Sequence, residues 1–66
     1  MIIYKDILTK LKDAGYNTTR LRREKLLTES TLTKIRNNQP ITITTLDTIC
    51  KLTNLPVEEL IEYQPD

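Results

Sequence analysis

The sequence predicts an all-α fold of five short helices. Three observations carry that expectation. Apolar residues recur at helical spacing, the few breakers (Gly15, Pro40, Pro56 and Pro65) fall between those stretches, and hydroxyl or amide side chains stand ahead of them as caps. The 66 residues are 38% hydrophobic and include eight isoleucines, ten leucines and one valine, too many for a disordered segment. A single domain spanning residues 1–66 is expected. A chain this short buries only about 60% of its unfolded surface, so its core is small and an additional source of stability is expected. The lone Cys50 forbids an internal disulfide, and the absence of histidine leaves a zinc site short of ligands. No metal and no cofactor are therefore expected, and self-association remains the candidate.

Each element follows from local chemistry. Ile3, Ile7, Leu8, Leu11 and Ala14 form an amphipathic stripe for a first helix, which Gly15 ends with a left-handed cap. Asn17-Thr18-Thr19 opens a short second helix anchored by Leu21. Leu26-Leu27-Thr28 makes a turn, with Thr28 capping a third helix that buries Leu32 and Ile35 and carries Glu29 in its first turn. Asn37-Asn38-Gln39-Pro40 ends that helix, because asparagine tolerates left-handed geometry and proline disfavours helix just before itself. Ile41-Thr42-Ile43-Thr44 alternates but has no partner strand nearby, so an extended connector with inward isoleucines is expected. Thr44-Thr45-Leu46-Asp47 reads as a capping box for a fourth helix, with Leu46, Ile49, Cys50 and Leu52 inside. Pro56 would occupy the first position of a fifth helix bearing Val57, Leu60 and Ile61.

The net charge of +1 hides an asymmetry. Residues 1–39 carry nine cations against four acids, whereas residues 40–66 carry one cation, Lys51, against five acids. Arg20, Arg22, Arg23 and Lys25 crowd four positive charges into six residues, which repel one another unless something negative is near; this points to a polyanionic partner. An enzyme is not expected: there is no imidazole base, no activated serine or cysteine, no glycine-rich phosphate loop and no evident small-molecule substrate. The longest apolar run is three residues, so no membrane span is expected. A free thiol without a secretion signal fits the cytoplasm.

Leu21, Leu27, Leu32 and Ile35 have the spacing that packs two helices at a steep angle across a tight turn, over about residues 18–37. Leu26 through Asn38 resembles the turn and recognition helix of the Cro/C1-type (XRE-like) family of DNA-binding regulators. Ile43 through Lys51 resembles that family's fourth helix, and Asn54 through Ile61 its fifth. The likeness extends from Tyr4 to Tyr63 and implies a lambda-repressor-like helix-turn-helix domain. Two positions depart from the family pattern. Arg22 stands where a small residue is usual, and Leu26 stands where glycine usually opens the turn in a left-handed conformation. At leucine that conformation costs on the order of 1–2 kcal/mol, so either the turn has another shape or other packing absorbs the strain.

The resemblance implies sequence-specific binding of double-stranded DNA by a small transcriptional regulator, a repressor of the phage type, with the third helix in the major groove. Ser30, Thr31, Thr33 and Lys34 would then face base edges, where hydroxyls, threonine methyls and an ammonium match what bases present. Asn17, Thr18 and Thr19 at the start of the second helix, and Arg36, Asn37, Asn38 and Gln39 after the third, would hold phosphates. Glu29 has the wrong sign for a groove unless it accepts from a cytosine amino group. A homodimer is implied, with recognition helices about 34 Å apart. The acidic, apolar-studded end (Val57, Leu60, Ile61, Tyr63) is the natural place for its contact. The alternative is a protein-interaction module on the same scaffold that reads no DNA.

Overall fold

The two ends of the chain pair with each other. A computed structural model describing residues 1–66 places β1 (Ile2–Tyr4) antiparallel to β2 (Ile61–Tyr63), with Ile2 opposite Tyr63, Ile3 opposite Glu62 and Tyr4 opposite Ile61. Between them run α1 (Ile7–Asp13), α2 (Thr18–Arg23), α3 (Glu29–Arg36), α4 (Ile43–Thr53) and one 3-10 turn, Val57–Glu59. The expected five-helix, all-α fold is thus corrected to four α-helices and a two-stranded sheet. No helix is long and apolar enough to cross a membrane.

The sheet escaped sequence reading because each strand is three residues long and its partner lies at the far end of the chain. Ile3 therefore belongs to β1 and not to the α1 stripe; Asp6, at φ 51°, turns the chain so that the helix begins at Ile7. Pro56 does precede a helical turn, but that turn stops after Glu59, and Ile61 and Tyr63 are drawn into pairing with β1. The α4 cap lies two residues earlier than the expected capping box. Thr42 Oγ1 accepts the Thr45 N–H at 3.0 Å, while Asp47 pairs with Lys51 at 3.0 Å. The connector accordingly ends at Thr42: Ile41 packs on the core, but Ile43, the first helical residue, is 81% exposed.

Eight side chains exclude water: Ile7, Leu11, Leu21, Leu27, Leu32, Ile35, Ile49 and Leu60. They come from all four helices, the turn before α3 and the residue preceding β2, so one cluster fixes every element. Leu60 is therefore core and is not free for contact with another molecule. Gly15 has the left-handed backbone expected of it, at φ 95°.

Asn38 ties the end of α3 to the sheet. Its backbone is left-handed, at φ 53°, and its side chain reaches β1 twice: Oδ1 accepts the Tyr4 N–H at 2.9 Å, and Nδ2 donates to the Ile2 carbonyl at 2.8 Å. These are the groups that face away from β2, so the amide seals the outer edge of β1 as a third strand would. The Tyr4 hydroxyl adds a bond to the Gln39 carbonyl, and burial pushes that phenol above its ordinary pKa, an effect partly offset by the Ile41 backbone amide.

Asn38→Ala is expected to lower the free energy of unfolding by about 3 kcal/mol, the sum of two lost hydrogen bonds and a left-handed alanine. Asn38→Gly should cost less, since glycine tolerates the backbone but makes neither bond. Urea denaturation measures both. Equal losses would mean that the left-handed conformation carries no cost.

Candidate nucleic-acid interface

Capping sets where α2 and α3 begin. The Asn17 side chain accepts the Arg20 N–H at 2.8 Å, and Thr28 Oγ1 accepts the Thr31 N–H at 3.1 Å while donating to Thr31 Oγ1 at 2.9 Å. Both caps satisfy amides that have no partner inside the helix, as the sequence leads one to expect. The turn between them has its left-handed residue at Lys25, φ 55°, one position before Leu26. The Leu26 N–H reaches back to the Leu21 carbonyl at 2.9 Å, and its side chain packs half-buried against the core. The strain expected of a left-handed leucine is absent, because the turn is differently shaped and a solvated lysine takes that conformation.

The faces of α3 follow from its helical period. Leu32 and Ile35 point into the core, and at about 100° per residue Ser30, Thr33, Lys34 and Asn37 fall on the opposite side. All four are exposed, and none of their side chains has a hydrogen-bond or ion-pair partner in the molecule. Thr31 lies on the flank towards the start of α4 and is half-buried; with Lys34, Pro40, Ile41, Thr42 and Thr45 it lines a shallow depression of about 250 Å³. Glu29 and Arg36 lie on the other flank, towards α2. Glu29 is held by Arg22 of α2 and lies 3.8 Å from Arg36.

The remaining expected contacts separate into groups. Asn17 and Thr19 are exposed and Thr18 is half-buried; Asn17 and Thr18 share a recess of about 310 Å³ with Leu8, Thr9 and Lys12. Sequence reading missed Lys12, whose only signal was a cation on α1, one turn beyond Leu8. Arg36, the last residue of α3, and Asn37 and Gln39 beyond it are exposed. Asn38 departs from expectation, because its side chain is turned to β1 and is already satisfied there.

Half of the basic cluster is neutralised from within. Arg20 bonds Glu24 at 2.6 Å and the Gly15 carbonyl at 2.9 Å, and lies 4.4 Å from the centre of the Tyr16 ring. The Glu24 bond holds its guanidinium pKa above the ordinary value. Arg22 is taken by Glu29. The negative charge that the cluster requires is thus partly supplied by the chain itself. Lys12, Arg23, Lys25 and Lys34 form no ion pair, and they are distributed over α1, α2, the turn and α3.

A family model described as a Cro/C1-type HTH DNA-binding domain matches residues 7–66, beginning at the first residue of α1. No curated protein and no solved structure matches the chain.

Thr28→Ala removes the α3 cap and is expected to cost about 1 kcal/mol of stability, while Thr28→Ser retains most of it. Thermal unfolding of the two variants checks this. An unchanged midpoint for the alanine variant would show that water caps the helix equally well.

Proposed function

With its family model covering residues 7–66, the chain belongs to the Cro/C1-type HTH DNA-binding domains, and we propose that it is a sequence-specific regulator, a repressor, that lays α3 in the major groove of duplex DNA. One observation carries this reading. Ser30, Thr33, Lys34 and Asn37 stand together on α3, opposite its buried side and without partners of their own. A row of unsatisfied donors and hydroxyls of helix width suits the edges of base pairs in a groove about 12 Å wide.

The roles divide by chemistry. Thr33 and Lys34, with Ser30 at the N-terminal end and Thr31 at the flank, read base edges: lysine donates to guanine acceptors, and the threonine methyls suit thymine. Asn17, Thr18 and Thr19 at the start of α2, and Arg36 at the end of α3 with Asn37 and Gln39 beyond it, hold phosphates on either side, which positions the helix without specifying sequence. Asn38 acts from behind by fixing the segment that carries Asn37 and Gln39. Lys12, beside Asn17 and Thr18, adds a cation to the first phosphate site. Each copy reads one half-site, so the working form is a homodimer with recognition helices about 34 Å apart, acting in the cytoplasm.

Glu29 has a part in this scheme. By holding Arg22, it withholds one cation from the phosphates and keeps sequence-independent attraction low. The pair is solvent-exposed and contributes little to stability, so the effect falls on binding.

Selection from a random duplex library at near-physiological salt tests the reading, with an inverted repeat as the expected product. Lys34→Ala should weaken binding to the selected site about tenfold and flatten its salt dependence, and Thr33→Ala should change which sequences are selected. Parental binding by both variants would remove α3 from the groove. Glu29→Gln should strengthen binding to unrelated duplexes and steepen their salt dependence by up to about one counterion. Unchanged non-specific binding would remove Glu29 from that role.

A further inference from the structure

The largest hollow on the surface, about 470 Å³, lies between the terminal sheet and the start of α4. Ile2, Tyr4 and Ile61 form one wall, and Ile41, Ile43 and Leu46 the other. No charged side chain lines it, and the polar Asn38 at its floor already has its amide bonded to β1. Ile43 stands at the rim with 81% of its surface in water, and Met1, Ile2 and Tyr63 are exposed beside it at 58%, 46% and 67%. Tyr63 shares the sheet face of Ile61, two residues away.

We propose that this groove, with Ile43 as its projecting side chain, is the self-association surface of the protein, and that its occupant is a second copy of the chain. The proposal rests on the duplex-reading function above and gives the dimer its contact. A projecting apolar side chain beside an open apolar slot is self-complementary about a two-fold axis: Ile43 of each copy enters the groove of the other, and the contact closes at two copies. The area is also adequate. Met1, Ile2, Ile43 and Tyr63 together expose on the order of 500 Å² of side-chain surface. A standard interface takes about 800 Å² from each partner, of which homodimers make about 65% apolar. The position is appropriate as well. Pro40 and Ile41 line both this groove and the depression beside Thr31 and Lys34, so pairing here sets the two reading helices next to the same axis.

The competing surface is the outer edge of β2. Leu60 and Gln64 bond to Lys5 and Met1, which flank β1, so the backbone groups of Ile61 and Tyr63 point outward and are open to another strand. Two copies of β2 paired antiparallel through both residues would set Glu62 directly opposite its own copy, a like-charge contact that opposes this register. The groove imposes no such cost.

Sedimentation of the parent chain at about 100 µM should give a dimer. Ile43→Glu should be monomeric yet folded, with the parent's thermal midpoint at dilutions where the parent is itself monomeric, since the side chain is exposed and an acid in the first turn of α4 is favourable to the helix. The same variant should retain half-site binding while losing about tenfold or more on the inverted repeat. A monomeric parent, or a dimeric Ile43→Glu variant, overturns the proposal. So does a Glu62→Gln variant that dimerises more tightly than the parent, because that result places the contact at the β2 edge. Failure of the parent to bind any duplex while the dimer forms and Ile43→Glu dissolves it overturns the duplex reading and leaves the surface standing.

Discussion

With Leu32 and Ile35 committed to the core, the opposite side of α3 has nowhere to face but solvent, and the rest of the molecule follows from that constraint. A helix of eight residues is too short to hold its shape without such packing, so the two buried side chains both stabilise it and orient it. α1 packs against them, Leu21 and Leu27 join the same cluster, Thr28 sets where the helix starts, and Lys25 takes the one left-handed turn needed between the helices. The polar row of Ser30, Thr33, Lys34 and Asn37 is the geometric remainder of that packing.

The chain ends supply the second constraint. Only eight residues are buried, and the short sheet adds a backbone closure that joins the N-terminus to the segment after Leu60. Asn38 couples this closure to α3, so the segment that follows α3 is held by the sheet as well as by its own backbone bonds to that helix. One side of the sheet then becomes the wall of an apolar groove close to the start of α4. The polar side of α3 and the apolar groove thus share a boundary at Pro40 and Ile41.

Charge is organised at the scale of single contacts. The total of +1 and the excess of cations in the first half of the chain would suggest a broad basic surface. Instead, Glu24 and Glu29 hold two of the four clustered cations, Lys5 and Lys10 reach the carbonyls of Glu58 and Glu59, and the cations without partners are scattered. Attraction to a polyanion then depends on a few positions.

The sequence alone determined the local features: the stripes of α1 and α3, the Asn17 and Thr28 caps, the left-handed Gly15 and Asn38, and the buried set Leu21, Leu27, Leu32 and Ile35. Each depends on residues within about one or two helical turns, where period and capping chemistry act directly. The tertiary structure decided everything that joins distant segments. It paired β1 with β2, ended the expected fifth helix after one turn, exposed Ile43, turned the Asn38 amide inward and placed Glu29 between Arg22 and Arg36. The physical reason is the same in each case. A three-residue strand or an exposed ion pair is too weak to leave a local pattern, and it forms only where the packed helices bring its partner alongside.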